Sequence, residues 1–479
     1  MSDATRYESP LSTRYASPTM QNLWSEAHRV HLWRRIWLAL ATEQRRLGLD
    51  IPEQALKEMA AHLDDADLEK ARAYERRFRH DVMAHIHAFG DQAPSAKPFI
   101  HLGATSAFVT ENADLIILRE AMRILLGRVV AVLGALRAFA VRYRQLPTVS
   151  YTHFQPAQLT TVGKRAGLWL QDFAMDAVAL RDAIGSLPFR GCKGTTGTQA
   201  SFLELFHGDH AKVRELDSRV AKAFDFAGSI PLSGQTYTRK VDSRILDLFA
   251  GVAQSGAKFG TDLRLLQHEG EVLEPVESEQ VGSSAMPYKR NPMRAERLCG
   301  LARYVVALRE NTAYTAATQW LERTLDDSAN RRLVLPDSCL ATDALLILAT
   351  NIAAGLEVRE AAVKRNVESA MPFMATERWL MLGVEAGGDR QALHEVIRQH
   401  SRAVSASVES GAPNDLLERL GQDPAFAKVD AKRLRAELEP ARYVGRAPEQ
   451  VTEYVDGPLA DLLNSLRAYA APDDAGVTV

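Results

Sequence analysis

The chain is short of cysteine, of net charge and of long apolar runs. Only three cysteines occur in 479 residues, Cys192, Cys299 and Cys339. They are odd in number and widely spaced, so neither a disulfide framework nor a zinc-ligand spacing is supported, and a reducing, cytoplasmic setting is expected. Lys and Arg total 58 against 60 Asp and Glu, a formal net charge of -2. Such a balance gives no global attraction for nucleic acid or for an anionic membrane, so neither partner is expected. Any anion must be bound by a local cluster. Apolar runs such as Ala344 to Ala349 are far too short to cross a bilayer. The segment Met1 to Pro18 is polar and lacks the apolar centre of a secretory signal. Dinucleotide fingerprints, a P-loop ending and a nucleophile elbow are also missing. Gly194-Thr195-Thr196-Gly197-Thr198 resembles a phosphate cradle only superficially.

What is present is helical periodicity. Leu115, Leu118, Met122, Leu125, Val129, Val132, Leu136, Phe139, Tyr143 and Leu146 alternate spacings of three and four, and no proline falls between Pro98 and Pro147. This predicts one long helix with a bundle seam. A second helical pattern is predicted to open at Pro156, through Leu159, Val162, Ala166, Trp169, Leu170 and Phe173. Others run through Val241 to Leu266, Leu298 to Leu308 and Leu340 to Leu356. Alternating strand patterns are rare. The expected fold class is all-α, an elongated bundle. Three domains are expected: an N-terminal helical domain over 1–106, a central long-helix bundle over 107–358 and a C-terminal helical domain over 359–479. The tail from Ala471 to Val479 has the composition of a disordered end.

Five polar segments interrupt these patterns. Ser12-Thr13-Arg14-Tyr15 reads alone as a turn. Arg79-His80-Asp81 is followed by His85 and His87, but the spacing is not that of a helix-face metal pair. His101 to Ser106 would cap the long helix through Thr105 or Ser106, and a helix N-terminus also attracts phosphate and carboxylate. Thr152-His153-Phe154-Gln155-Pro156 places a histidine just before a predicted helix start. Gly234-Gln235-Thr236-Tyr237 goes with the charged run Glu322 to Arg332, which would ordinarily be a solvated helix surface. No metal or other cofactor is expected. The inventory of hydroxyls, one histidine and several arginines suits proton transfer on a multiply anionic small molecule.

The richest segment is Gly282-Ser283-Ser284-Ala285-Met286-Pro287-Tyr288-Lys289-Arg290-Asn291-Pro292. Two prolines and a run of small residues exclude helix there. This loop resembles the signature of the fumarase/aspartase superfamily. Within it, Lys289 to Pro292, Arg79-His80-Asp81, Thr152 to Pro156, Gln235-Thr236-Tyr237, Arg323 to Arg332 and Pro372 to Glu377 are similar to the adenylosuccinate lyases, the animal form above all. The resemblance runs from about Ser9 to beyond Gly388.

The resemblance implies a three-domain fumarase/aspartase-like fold whose central bundle forms the core of a homotetramer, with each active site shared between subunits. It implies β-elimination of fumarate from adenylosuccinate, giving AMP, and from the ribotide SAICAR, giving AICAR. On matching positions it implies Ser283 as base, His153 as acid, Lys289 as a stabiliser of negative charge, Glu296 as partner of the catalytic histidine and His80 as a second active-site histidine. Arg14, Tyr15, Arg79, Asp81, Arg297, Arg323, Ser328 and Arg332 match substrate-binding positions, as do Thr105, Ser106 and Gln235 around the succinyl portion. Two other readings stand beside this one. A different lyase of the superfamily would lack this combination of Arg79-His80-Asp81 with Arg323 to Arg332. A helical structural protein descended from a lyase would have lost the base or the acid, and both are here.

Overall fold

A computed structural model describes residues 5–469; the tail Ala471 to Val479, expected to be disordered, lies outside the described residues. After a single π-helical turn at Leu11–Tyr15 come α1 (Pro18–Leu23), α2 (Glu26–Arg46), α3 (Glu53–Ala61), α4 (Leu68–Phe78) and α5 (Asp81–Gln92). The bundle follows: α6 (Ser106–Arg142), a hairpin of β1 (Pro147–Thr152) and β2 (Gln155–Thr161), α7 (Val162–Ser186), the short α8 (Ala200–Leu205) and α9 (His210–Lys222), then α10 (Lys240–His268). A two-residue strand β3 (Val272–Leu273), α11 (Met293–Thr318) and α12 (Asp326–Gly355) complete it. Beyond β4 (Glu357–Val358), which pairs with β3, lie α13 (Glu360–Met374), α14 (Thr376–Glu385), α15 (Arg390–Glu409) and four shorter helices.

The fold is all-α, as the periodicity predicts. The seam residues Leu115 to Leu136 are fully buried. α6 packs on α7 and α12, α10 packs on α11, α12 and α7, and α11 packs on α12. Two of these helices, α6 and α12, are long and apolar enough to cross a membrane by length and composition alone. The apolar-run argument did not register them because Arg119, Arg123, Arg128 and Asp343 interrupt the runs. Both are core helices here, and their charges are paired inside the protein: Arg128 donates Nε–H to Asp343 Oδ1 at 3.1 Å, and the same carboxylate takes the Ser17 N–H at 2.8 Å. That last bond ties the segment after Tyr15 to the bundle.

The second predicted helix does not start at Pro156. Gln155–Thr161 is a strand paired antiparallel with Pro147–Thr152, with an irregularity between Val149 and Tyr151, and α7 begins only at Val162. Val162 and Ala166 belong to α7, and Leu159 continues their helical spacing by coincidence. β-branched Val149, Thr160 and Thr161 favour the pleated conformation, and the ends pair with distant groups. Arg165 Nη2 donates to the Val149 carbonyl at 2.5 Å, and Leu159 packs with Val149, Val363, Val367 and Met371 beneath α13.

Candidate active site

Three of the five expected arginines, Arg79, Arg323 and Arg332, converge on one cleft of about 620 Å³ between the N-terminal helices and the start of α12, and Arg14 and Arg297 do not line it. Arg79, His80, Asp81, Thr105, Ser106, Gln235, Arg323, Ser328 and Arg332 all line it. Local structure puts them there. Arg79 ends α4 in the left-handed region at φ 54°, which turns the chain abruptly. His80 then caps α5, its Nδ1 accepting the Met83 N–H at 3.3 Å. Its Nε2 stands 3.4 Å from Ser106 Oγ. Thr105 occupies the cap position of α6 without a side-chain capping bond, so the capping predicted for Thr105 or Ser106 is not made. The positive end of a 37-residue helix therefore faces the cleft. On the opposite wall Arg332 Nη2 donates to Asp81 Oδ2 at 2.7 Å. Pro336, also lining the cleft, lies inside α12 and lacks the N–H that would bond the Arg332 carbonyl.

The charged run Glu322 to Arg332 is not the solvated surface its composition suggests. Asp327 and Arg331 are buried, because their partners come from other helices. Arg331 meets Asp242 at 2.7 Å, Asp114 at 3.0 Å and Glu111 at 3.5 Å. The Tyr237 hydroxyl donates to Asp242 at 2.6 Å. Burial alone would push the Glu111 carboxyl up, but Arg239 and Arg331 outweigh it and hold it at about 2. Asp114 goes the other way: burial, with Glu111 and Asp242 nearby, raises it despite Arg331 and Arg29. These floor residues, with Trp24, Arg29, Trp33 and Glu75 on the walls, were missed in the sequence. One signal was available. Glu111 and Asp114 are carboxylates three apart on α6, interrupting the apolar seam.

The remaining expected residues lie elsewhere in the chain. His153 and Phe154 form the two-residue turn of the hairpin, both with positive φ, 52° and 60°. That is the geometry of a type I′ turn, which ordinarily takes Asn and Gly. His153 is exposed at its tip, not poised before a helix. Backbone strain of this kind collects at functional sites. Ser283 sits in an exposed loop whose stems are fastened. Asn291 Nδ2 donates to the Gly282 carbonyl at 2.8 Å, and Gln267 Nε2 to the Arg290 carbonyl at 2.8 Å. A Cβ at Gly282 would run into the Lys289 carbonyl. Buried Glu274 accepts the Arg294 and Ala295 N–H groups at 3.0 and 2.8 Å, fixing the start of α11. Within the loop the Met286 N–H donates to Ser283 Oγ at 3.2 Å. Lys289 and Glu296 are exposed on either side of that helix start. Arg297, on α11, places its guanidinium 5.9 Å from the Tyr15 ring, and the turn carrying Arg14 and Tyr15 packs on α12. One chain thus carries three separate groups: the arginine cleft, the His153 hairpin and the Ser283 loop. Neither His153 nor Ser283 lines the cleft.

Among the described residues no group of three or more His, Cys, Asp or Glu side chains is arranged to hold a metal. His85 packs edge-on against Trp33, and His87 lies against Tyr74 and Phe78.

Comparison with known proteins sets this geometry in a family. A family model described as "Lyase" matches residues 46–307, and one described as "Adenylosuccinate lyase C-terminus" matches 372–454. The chain is 46% identical to the adenylosuccinate lyase of Saccharomyces cerevisiae over the whole of both chains. It is 43% identical to that of Schistosoma mansoni over 98% of each, so the likeness is to fungal as much as to animal forms. A solved 3-carboxy-cis,cis-muconate lactonizing enzyme from Pseudomonas putida superposes with a TM-score of 0.81 at 24% identity, covering 95% of this chain and 99% of that one. That likeness concerns the fold alone. On full-length identity and both family models, the chain belongs to the adenylosuccinate lyase family.

Proposed function

We infer that the chain releases fumarate by β-elimination from adenylosuccinate, giving AMP, and from SAICAR, giving AICAR. Family membership supports this reaction. The observation that carries it is the cleft, where Arg79, Arg323 and Arg332 share the lining with Ser328 and with Thr105 and Ser106 at the N-terminus of α6. Planar guanidinium forks suit phosphate and carboxylate oxygens. Each substrate has one phosphate and a succinyl group with two carboxylates.

In this reading Ser283, as the alkoxide, takes a proton from the succinyl carbon beside a carboxylate and becomes the hydroxyl. The carbon's electron pair spreads into that carboxylate and ends in the double bond of fumarate as the bond to nitrogen breaks, and His153 protonates the departing nitrogen. A serine hydroxyl is a weak base, so its oxygen needs stabilised negative charge. The Met286 N–H already directed at Ser283 Oγ supplies one donor, and Lys289 in the same loop supplies a cation. Glu296 orients His153, and His80, held by Met83 and Ser106, orients the substrate. Arg14, Tyr15, Arg79, Arg297, Arg323, Ser328 and Arg332 clamp the anionic groups, Asp81 belongs to the same site through its bond to Arg332, and Thr105, Ser106 and Gln235 hold the succinyl part.

The separation of the three groups supports a site assembled from several subunits of a homotetramer. Its His153, Ser283 and arginine cleft then come from different chains. We place the enzyme in the cytoplasm, in keeping with three free, buried cysteines. The test is fumarate release by the purified protein, followed by ultraviolet absorbance. Adenylosuccinate and SAICAR should both be cleaved and argininosuccinate left intact. Cleavage of argininosuccinate, or none of the three, would overturn the assignment.

A further inference from the structure

Beneath the cleft, Asp327 divides its carboxylate between two guanidinium groups. Oδ1 accepts from Arg323 Nη1 at 2.8 Å, and Oδ2 accepts from Arg239 Nε at 2.6 Å. Arg239 is itself clamped by Glu111 through a two-pronged pair, Nη1 to Oε2 at 2.8 Å and Nη2 to Oε1 at 2.7 Å. Exposure is confined to one end of this line. The side chains of Glu111, Arg239 and Asp327 are 4%, 1% and 0% exposed, whereas that of Arg323 is 24% exposed. The line begins in the core on α6, passes through Arg239 just before α10, and ends at a cleft-wall cation.

Hydrogen bonding explains why Arg323 is part of the line. Asp327 is a buried acid whose other cation, Arg239, is shared with Glu111. Arg323 serves the second carboxylate oxygen. Without it that buried oxygen loses its charged donor, which is costly in a low-dielectric interior. The backbone beside Arg323 is pinned where the Glu322 carbonyl accepts the Gln235 N–H at 3.0 Å, but that bond does not orient the side chain. Leu321, two positions earlier, has φ 51°, and both Leu321 and Leu325 are exposed. An unanchored arginine there would have to be ordered by each arriving ligand, and prior anchoring removes that cost.

We propose that Asp327 is a positioning residue that holds Arg323 ready for the substrate anion, braced from behind by Arg239 and Glu111. This rests on the reading that Arg323 binds substrate. The requirement on Asp327 is geometric: a carboxylate four positions after Arg323, close enough to take one nitrogen of the fork while the rest of the guanidinium faces the cleft.

The test is a double-mutant cycle in the full-length protein. KM and kcat for adenylosuccinate and the Kd of AMP by calorimetry are measured for Asp327→Asn, Arg323→Gln and the pair. Asp327→Asn should raise KM and weaken AMP binding on the order of tenfold when Arg323 is present, and by less than about twofold when it is Gln. Thermal stability should fall in both backgrounds, and by less when Arg323 is Gln, because only the contact with Arg239 is then left to lose. Equal binding factors in the two backgrounds would overturn the proposal, since Asp327 would then act without Arg323. If Asp327→Asn does not fold, Asp327→Glu, which keeps the charge and moves it by one methylene, is taken through the same cycle. A wild type that binds AMP but does not cleave adenylosuccinate would sink the lyase reading, and the coupling in AMP binding would still decide the role of Asp327.

Discussion

Arg332 and Asp81 stand 251 positions apart in sequence and 2.7 Å apart in the fold. The pair joins the start of α5 to α12 across the mouth of the cleft. Burial opposes ionisation of Asp81, but the Arg332 guanidinium and the Val82 N–H outweigh it and hold the carboxyl below its ordinary 3.8. A depressed folded value means that the stabilisation is present above the ordinary value and is lost as pH falls through the folded one. Asp81→Asn should therefore cost about 0.5–1 kcal/mol at pH 7, in the range of partly exposed pairs. The difference from wild type should shrink below pH 3.8. Urea unfolding at several pH values checks this. A difference that grows on acidification would contradict the pairing.

Asp176 on α7 has the opposite linkage. Burial and the neighbouring Asp172 push its carboxyl up to about 6, against the Ser255 hydroxyl that donates to it at 2.6 Å. A raised folded value gives stability that is present below the ordinary carboxylate range and lost as pH rises through about 6. At neutral pH the ionised group is a liability. Asp176→Asn keeps an acceptor for Ser255 and should stabilise the protein by about 1–2 kcal/mol at pH 8, after discounting for partial exposure. At pH 4 the gain should vanish. A variant no more stable at pH 8 than wild type would show that Asp176 is not strained by its surroundings.

The helices were legible because burial imposes spacing. A seam such as Leu115 to Leu136 can be read one residue at a time. The hairpin was not legible, since Leu159, Val162 and Ala166 satisfy a helical spacing while belonging to a strand and the helix after it. Nothing in the letters His153-Phe154 reports positive φ angles. The cleft was half legible. Arg79, Arg323 and Arg332 could be read from local motifs, but the burial of Asp327 and Arg331 depends on Glu111, Asp114, Arg239 and Asp242, which are supplied by other helices. Pairing over such separations leaves no mark on one sequence.

Ser283→Ala should preserve the fold, because the side chain is only half-buried and its hydrogen bond is to the nearby Met286 N–H. Loss of a general base typically costs about 10²–10⁴-fold in kcat. AMP affinity should stay within about twofold if the hydroxyl acts only in proton abstraction. Near wild-type kcat would remove Ser283 from the role of base.

Chelation should leave turnover unchanged. His85 and His87 are engaged with aromatic rings, and the proposed steps use side chains alone. Dialysis against EDTA followed by the fumarate assay checks this. Lost activity that a divalent ion restores would refute it.

The shared site has the most direct test. His153 lies exposed at the hairpin tip and Ser283 half-buried in the loop before α11, and neither lines the arginine cleft. If one site takes its histidine and its serine from different subunits, His153→Ala and Ser283→Ala proteins should each be inactive yet complement each other. Mixed tetramers formed by dissociation and reassembly would then contain sites with both residues intact. Random equal mixing in a symmetric tetramer makes about one quarter of sites whole. Activity should appear only after subunit exchange and should scale with the product of the two chain fractions. Native mass spectrometry establishes that mixing has occurred. Mixed tetramers as inactive as their parents would mean that one chain supplies both residues, and the site would then have to close within a subunit by movement of the hairpin or the loop.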